Sequence, residues 1–71
     1  MIKEMLRAIK QQQLIRVIYL GNNGQTTIRV IRPLEVEGNR LKAYCLTRRG
    51  PRVFAINNIL AIEPMVNGRA V

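Results

Sequence analysis

Four arginines in this chain have the chemistry of an anion receptor. They are Arg29 in "TTIRVIR", Arg48 and Arg49 ahead of Gly50, and Arg52 at the start of "RVFAI". A guanidinium presents a planar fork of N–H donors that matches two oxygens of a phosphate or carboxylate. The Arg48-Arg49-Gly50 loop adds backbone N–H groups that can meet the same anion. In "RLKAYCL", Lys42 and Tyr44 share one strand face with Arg40 and Leu46. A tyrosine ring among cations can stack a nucleobase. Each of these residues also has a plainer reading. Arg40 and Lys42 suit a solvated strand face, Tyr44 suits packing, and Arg48 and Arg49 suit a turn kept wet by charge.

The whole chain leans the same way. Its 71 residues hold 12 Lys+Arg against 4 Asp+Glu and no His, a formal charge of +8. All four acids are glutamates. Such a chain attracts polyanions, whereas solubility alone favours mixed signs.

Catalysis is not expected. General acid–base work wants His or a tuned carboxylate pair. Glu35 and Glu37 share a strand face, but they flank a turn in a basic chain and are expected to salt-bridge to nearby Arg. Cys45 shares an inward face with Leu41 and Ala43, and no His is present to activate it. One thiol without imidazole excludes zinc, and no Walker or Rossmann glycine pattern is present. We therefore expect a non-enzyme with no metal and no cofactor.

A chain this short makes one domain, 1–71, with a thin core for which self-association is a route to stability. A single Cys fits a reducing cytosol, and the charged N-terminus is no secretion signal, so a cytoplasmic location is expected. No apolar run approaches a membrane span.

Ile2, Met5, Leu6 and Ile9 follow an i, i+3, i+4, i+7 stripe, which predicts an amphipathic helix over 2–11. Its expected place is as a cap over an open barrel end, the alternatives being a membrane-surface helix or a frayed remnant. Strands then follow over 14–64. "LIRVIYL" leads to the Asn23-Gly24 turn, both types tolerating positive φ. "QTTIRVIR" returns and is ended or bent by Pro33. "LEVE" is a short strand ending at Gly38-Asn39, followed by "RLKAYCL", the loop "TRRGP", and "RVFAI". "LAIEP" is a last extended piece, and the tail "MVNGRAV" carries no pattern. Short strands at close spacing predict a mostly β domain, a small barrel or tightly curled sheet. Several strands are apolar on both faces, so period alone leaves the core side open and points to a partner surface or helix cover.

The run from Ile15 to Ile59 resembles the WYL domain of bacterial regulators. The residues that carry the likeness are Tyr19, "RVIRPL" from Arg29 to Leu34, "NRLKAYC", and "RVFAINNI" from Arg52 to Ile59. Where the family has Trp-Tyr-Leu, this chain has Asn39, Arg40 and Leu41. The resemblance implies a five-stranded, Sm-like, SH3-type barrel. It also implies a sensor that binds a small anionic ligand or a nucleic-acid end and controls a DNA-binding partner. Arg29 and Arg52 match the family's basic positions.

The sequence therefore points to a regulatory binding module for a nucleotide-like ligand or single-stranded nucleic acid, which modulates transcription or another nucleic-acid process. Its candidate site is Arg29, Lys42, Tyr44, Arg48, Arg49 and Arg52. The alternative is an assembly module, a homo-oligomer or protein partner that pairs through strand edges and outward apolar residues without binding nucleic acid.

Overall fold

The computed structural model describes residues 2–65. Helix α1 (Ile2–Lys10) leads into β1 (Ile15–Leu20), β2 (Thr26–Glu37), β3 (Arg40–Cys45), β4 (Gly50–Ala55), a 3-10 turn over Ile56–Asn58, and β5 (Ile59–Pro64). The five strands form one antiparallel sheet in the order β4-β3-β2-β1-β5. The sequence reading of residues 66–71 lies outside the described residues.

Alternation settles which face is core. Ile15 and Val17 of β1, Ile31 of β2, Leu41, Ala43 and Cys45 of β3, and Phe54 of β4 are all buried. The register aligns them on one inner face. β3 shows the two-residue period most cleanly, every inward residue buried and every outward one exposed.

The "QTTIRVIR" and "LEVE" segments form a single strand of 12 residues. Pro33 sits inside it and does not end it. The N–H of Val30 donates to Thr47 Oγ1 and its carbonyl accepts from Leu46 N–H, so Val30 faces β3. Alternation turns Pro33 toward the β1 side. The β1 ladder has already finished there, at Ile15↔Ile31. No partner awaits a donor at that position, so the missing proline N–H breaks nothing. The pairing shifts just beyond, between Pro33 and Glu35, and leaves Leu34 as an extra, 53% exposed residue. A second shift on the β5 side, beyond Ala61, leaves Leu60 similarly exposed.

β4 begins at Gly50, two residues before the expected start. Ile56 N–H donates to Asn39 O, which turns Ile56 toward β3 and therefore Pro51, Val53 and Ala55 toward the free edge. Pro51 enters a strand because its missing donor faces no ladder. In the "GNNG" turn only Gly24 takes positive φ, at 80°. Asn23 contributes through its side chain, whose Oδ1 accepts from Gln25 N–H.

The sheet curls but does not close as a barrel, because no ladder joins β4 to β5 among the described residues. In a flat sheet β1 and β4 would lie about 14 Å apart. Here the Tyr19 and Phe54 rings meet edge to face with centroids 5.1 Å apart. Tyr19 Oη accepts from the Ala55 N–H at 3.1 Å. A side chain thus does what a closing ladder would do. Helix α1 covers the inner face near the start of β1, with Met5 and Ala8 buried and Ile9 packed against the core. Ile2 and Leu6, expected on the buried stripe, are 41% and 50% exposed. The helix turns its Met5–Ala8 side to the sheet, so those two stand on its flank.

Replacing Tyr19 with Phe keeps the ring contact and removes the acceptor. We expect it to lower unfolding free energy by about 1 kcal/mol in urea titration, with Tyr19→Ala costing about 3 kcal/mol or more.

Candidate anion-binding site

The inner face carries an unusual charge distribution. Arg29 shares that face with Val17, its partner across the ladder, and Arg52 shares it with Ala43. They are the only charged side chains that the register places on the inner face of the described sheet. All three sheet glutamates point the other way and are paired. Glu63 accepts from Arg16 Nε at 3.0 Å and lies 2.7 Å from Arg16 Nη2. Glu37 and Glu35 lie 3.2 and 4.0 Å from Lys42 Nζ. The expected salt bridge at this glutamate pair therefore forms, with Lys42 rather than an arginine.

Arg29 is half-buried, and its Nε donates to Thr27 Oγ1 at 3.3 Å. That bond aims the guanidinium along β2, and no carboxylate bonds it among the described residues. Its chain neighbour Val30 clamps the β3–β4 loop through Thr47 and Leu46. The clamp ties the start of the loop that carries Arg48 and Arg49 to β2, one residue along the chain from Arg29.

Both loop arginines are exposed. Arg49 has φ 57°, in the left-handed region. A residue with a Cβ adopts that conformation at a cost of order 1 kcal/mol. Gly50 is next door and does not use its own freedom at that point. The loop thus places a strained arginine where a glycine would be relaxed; Gln12, just after α1, carries the same strain at φ 53°.

The six candidates therefore divide between the two faces and a loop. Arg29 lies on the inner face, and Arg48 and Arg49 are exposed in the β3–β4 loop bonded to its neighbour Val30. Arg52 is on the same face, exposed, near the start of β4. Lys42 and Tyr44 lie on the outer face, because β3 alternates and Leu41, Ala43 and Cys45 take the core. They do not join the inward arginines in one concave pocket. Hydrogen bonding to Glu37, followed by the charges of Glu37 and Glu35, raises the Lys42 pKa above its ordinary 10.5. Stability from that contact is fully present below pH 10.5 and is lost as pH rises through the raised value.

Tyr44 is 38% exposed and stands directly across the ladder from Arg32, with Pro51 on its other side. Arg32 was not singled out in the sequence. Its signal was the shared outer face of the paired strands, which requires the register to be known. Three hollows are defined by described residues. One lies between α1 and β1/β5, one between α1 and the β2 bulge, and one on the outer face over Ile18, Ile28 and Ala61. None of these three is lined by Arg29, Arg48, Arg49 or Arg52. Arg29 and Arg52 form a basic rim on the inner face, outside these three hollows.

Among solved structures, the proteasome accessory factor B/C (PafBC) of Arthrobacter aurescens is similar to this chain, with a TM-score of 0.79 and 28% sequence identity. The match covers 99% of this chain and 11% of that one, so the chain spans a small part of that protein's length. No match is found among curated proteins. A family model for the WYL domain matches residues 1–64, which include the Tyr19 latch and the inward arginines, and the chain belongs to the WYL domain family.

Proposed function

We propose that this domain is a regulatory sensor for a phosphate-bearing ligand, a nucleotide or a single-stranded nucleic acid. The observation that supports this most is the charge of the inner face, where arginines stand without any carboxylate. Arg29, Arg48 and Arg49 form the centre of the site, and Arg52 extends it. Each offers a fork of donors to phosphate oxygens. No described helix is shaped for a duplex groove, since the one α-helix has 9 residues and is docked on the sheet. The curled sheet acts as a small Sm-like, SH3-type scaffold, and binding biases a DNA-binding or other regulatory partner. The reading includes a cytoplasmic setting and no catalysis. Among the described residues no helix is long and apolar enough to cross a membrane.

Lys42 and Tyr44 enter this reading in one way. The β3–β4 hairpin places Tyr44 and Arg52 one residue step apart on opposite faces, with Arg48 and Arg49 at its tip. A polymer can pass over the tip and stack a base on Tyr44, which a mononucleotide held by the inner face cannot do. A short DNA or RNA strand should therefore lose affinity with Tyr44→Ala, while a mononucleotide should not.

Titration of short single-stranded DNA and RNA at two salt concentrations tests the proposal. Four phosphate contacts predict a log–log salt slope of about −3 and a roughly fifty-fold loss between about 50 and 200 mM salt. Arg29→Ala should weaken binding about tenfold at the lower salt. Absence of binding at low salt to both strands and to nucleoside di- and triphosphates would refute the sensor reading. A second test uses the strained loop. Arg49→Gly should raise unfolding free energy by up to about 1 kcal/mol and lower anion affinity in the same protein. Affinity unchanged by that variant would remove Arg49 from the site.

A further inference from the structure

We infer that the flank of α1 and the β2 bulge form a docking surface for an acidic segment of a partner protein, one with apolar anchors at helical spacing. Ile2, Leu6 and Ile9 stand at i, i+4 and i+7 and line one flank of the helix. Ile9 also lines a hollow of about 400 Å³ together with Gln12, Arg32, Pro33 and Leu34. The flank therefore faces the bulge. Ile2, Leu6 and Leu34 are 41%, 50% and 53% exposed, although each is large and apolar. The bulge itself turns Leu34 out of the ladder, between Pro33 and Glu35.

Charge decides the occupant. The hollow is lined by Arg32 and by no carboxylate. Lys3 and Lys10 project from the outward side of the same helix, and both are exposed. Glu4 and Arg7 line the opposite flank, toward Ile62 and Pro64. A second copy would bring another formal +8 to this surface, which disfavours self-docking. An acidic segment with Leu- or Ile-type anchors suits both features: its carboxylates meet Arg32, Lys3 and Lys10, and its anchors cover Leu6, Ile9 and Leu34. None of Arg29, Arg48, Arg49 and Arg52 lines this hollow, and the inference does not depend on the anion-sensor reading.

The test uses a fluorescein-labelled amphipathic peptide of Glu, Leu and Ala at helical spacing, with a scrambled peptide of the same composition as control. Anisotropy with the full chain should show salt-sensitive binding of the first and at least about tenfold weaker binding of the second. Amide shift changes in labelled protein should map to Ile2–Lys10 and Leu34. Leu6→Gln and Leu34→Ser replace exposed side chains, so circular dichroism should be unchanged while affinity falls about tenfold in each. Shifts confined to Arg29 and the β3–β4 loop would overturn the proposal, as would equal binding of the scrambled peptide. Two further results would also overturn it by assigning the surface elsewhere. One is a dimer in sedimentation that both variants abolish. The other is binding to vesicles with anionic headgroups that both variants abolish while peptide binding is absent.

Discussion

The curl of the sheet depends on one contact between distant strands. Tyr19 meets Phe54 with its ring and Ala55 with its hydroxyl, and through them β1 holds β4 without a ladder. A sheet this small has one buried face, and a helix of 9 residues cannot cover all of it. Curling lets the inner face bury itself, and the helix completes one end with Met5 and Ala8. The latch grips β4 at Ala55, its last residue. The other end, from Gly50 to Arg52, is held by β3 and by the Thr47–Val30 clamp on the preceding loop. Arg48, Arg49 and Arg52 therefore sit at the end of the hairpin away from the latch, while Arg29 is held within β2.

Charge placement follows from the same geometry. A guanidinium fully enclosed by a curled apolar face would lose its hydration without return. Arg29 avoids this by staying half-buried and giving Nε to Thr27, and Arg52 by staying exposed. The glutamates stand on the convex side, where Arg16 and Lys42 meet them in water and contribute little to stability. The division leaves the concave rim with positive potential that nothing on the described sheet neutralises.

Much of this was legible in the sequence, and the failures have physical causes. The alternation of Leu41, Ala43 and Cys45 against Lys42 and Tyr44 fixed the β3 faces correctly, because a two-residue period is all a strand needs. The five-stranded, mostly β class and the family pattern were legible too. Of the two readings of Pro33, a strand end or a bend, the irregularity is the one observed, and its tolerance depends on where the neighbouring β1 stops, which is a matter of register. The bulge at Leu34 changes inward parity from Ile31 and Pro33 to Val36, and no local period announces such a shift. The latch was hidden because one partner is a backbone N–H, which any residue but proline at position 55 would supply. The left-handed backbone at Arg49 was hidden by Gly50, the residue to which such a turn position is normally assigned. The helix stripe was right in kind but rotated: Ala8 packs inward and Leu6 does not, a choice made by the shape of the sheet below.

The strand edges limit how copies of this domain could assemble. In an antiparallel strand N–H and C=O of one residue point to the same side. On β4 the edge-facing residues are Pro51, Val53 and Ala55. Pro51 has no donor and the Ala55 N–H is occupied by Tyr19 Oη, which leaves Val53 alone. On β5, Met65 N–H donates to Leu14 O, so Pro64 and Ile62 face outward, and Pro64 again has no donor. An incoming strand would find one N–H on β4 and would meet proline on either edge. Such edges resist strand addition. Assembly between copies therefore favours side-chain surfaces, such as the outer face over Ile18, Ile28 and Ala61. With few edge donors to offer, the described sheet meets its surroundings mainly through side chains.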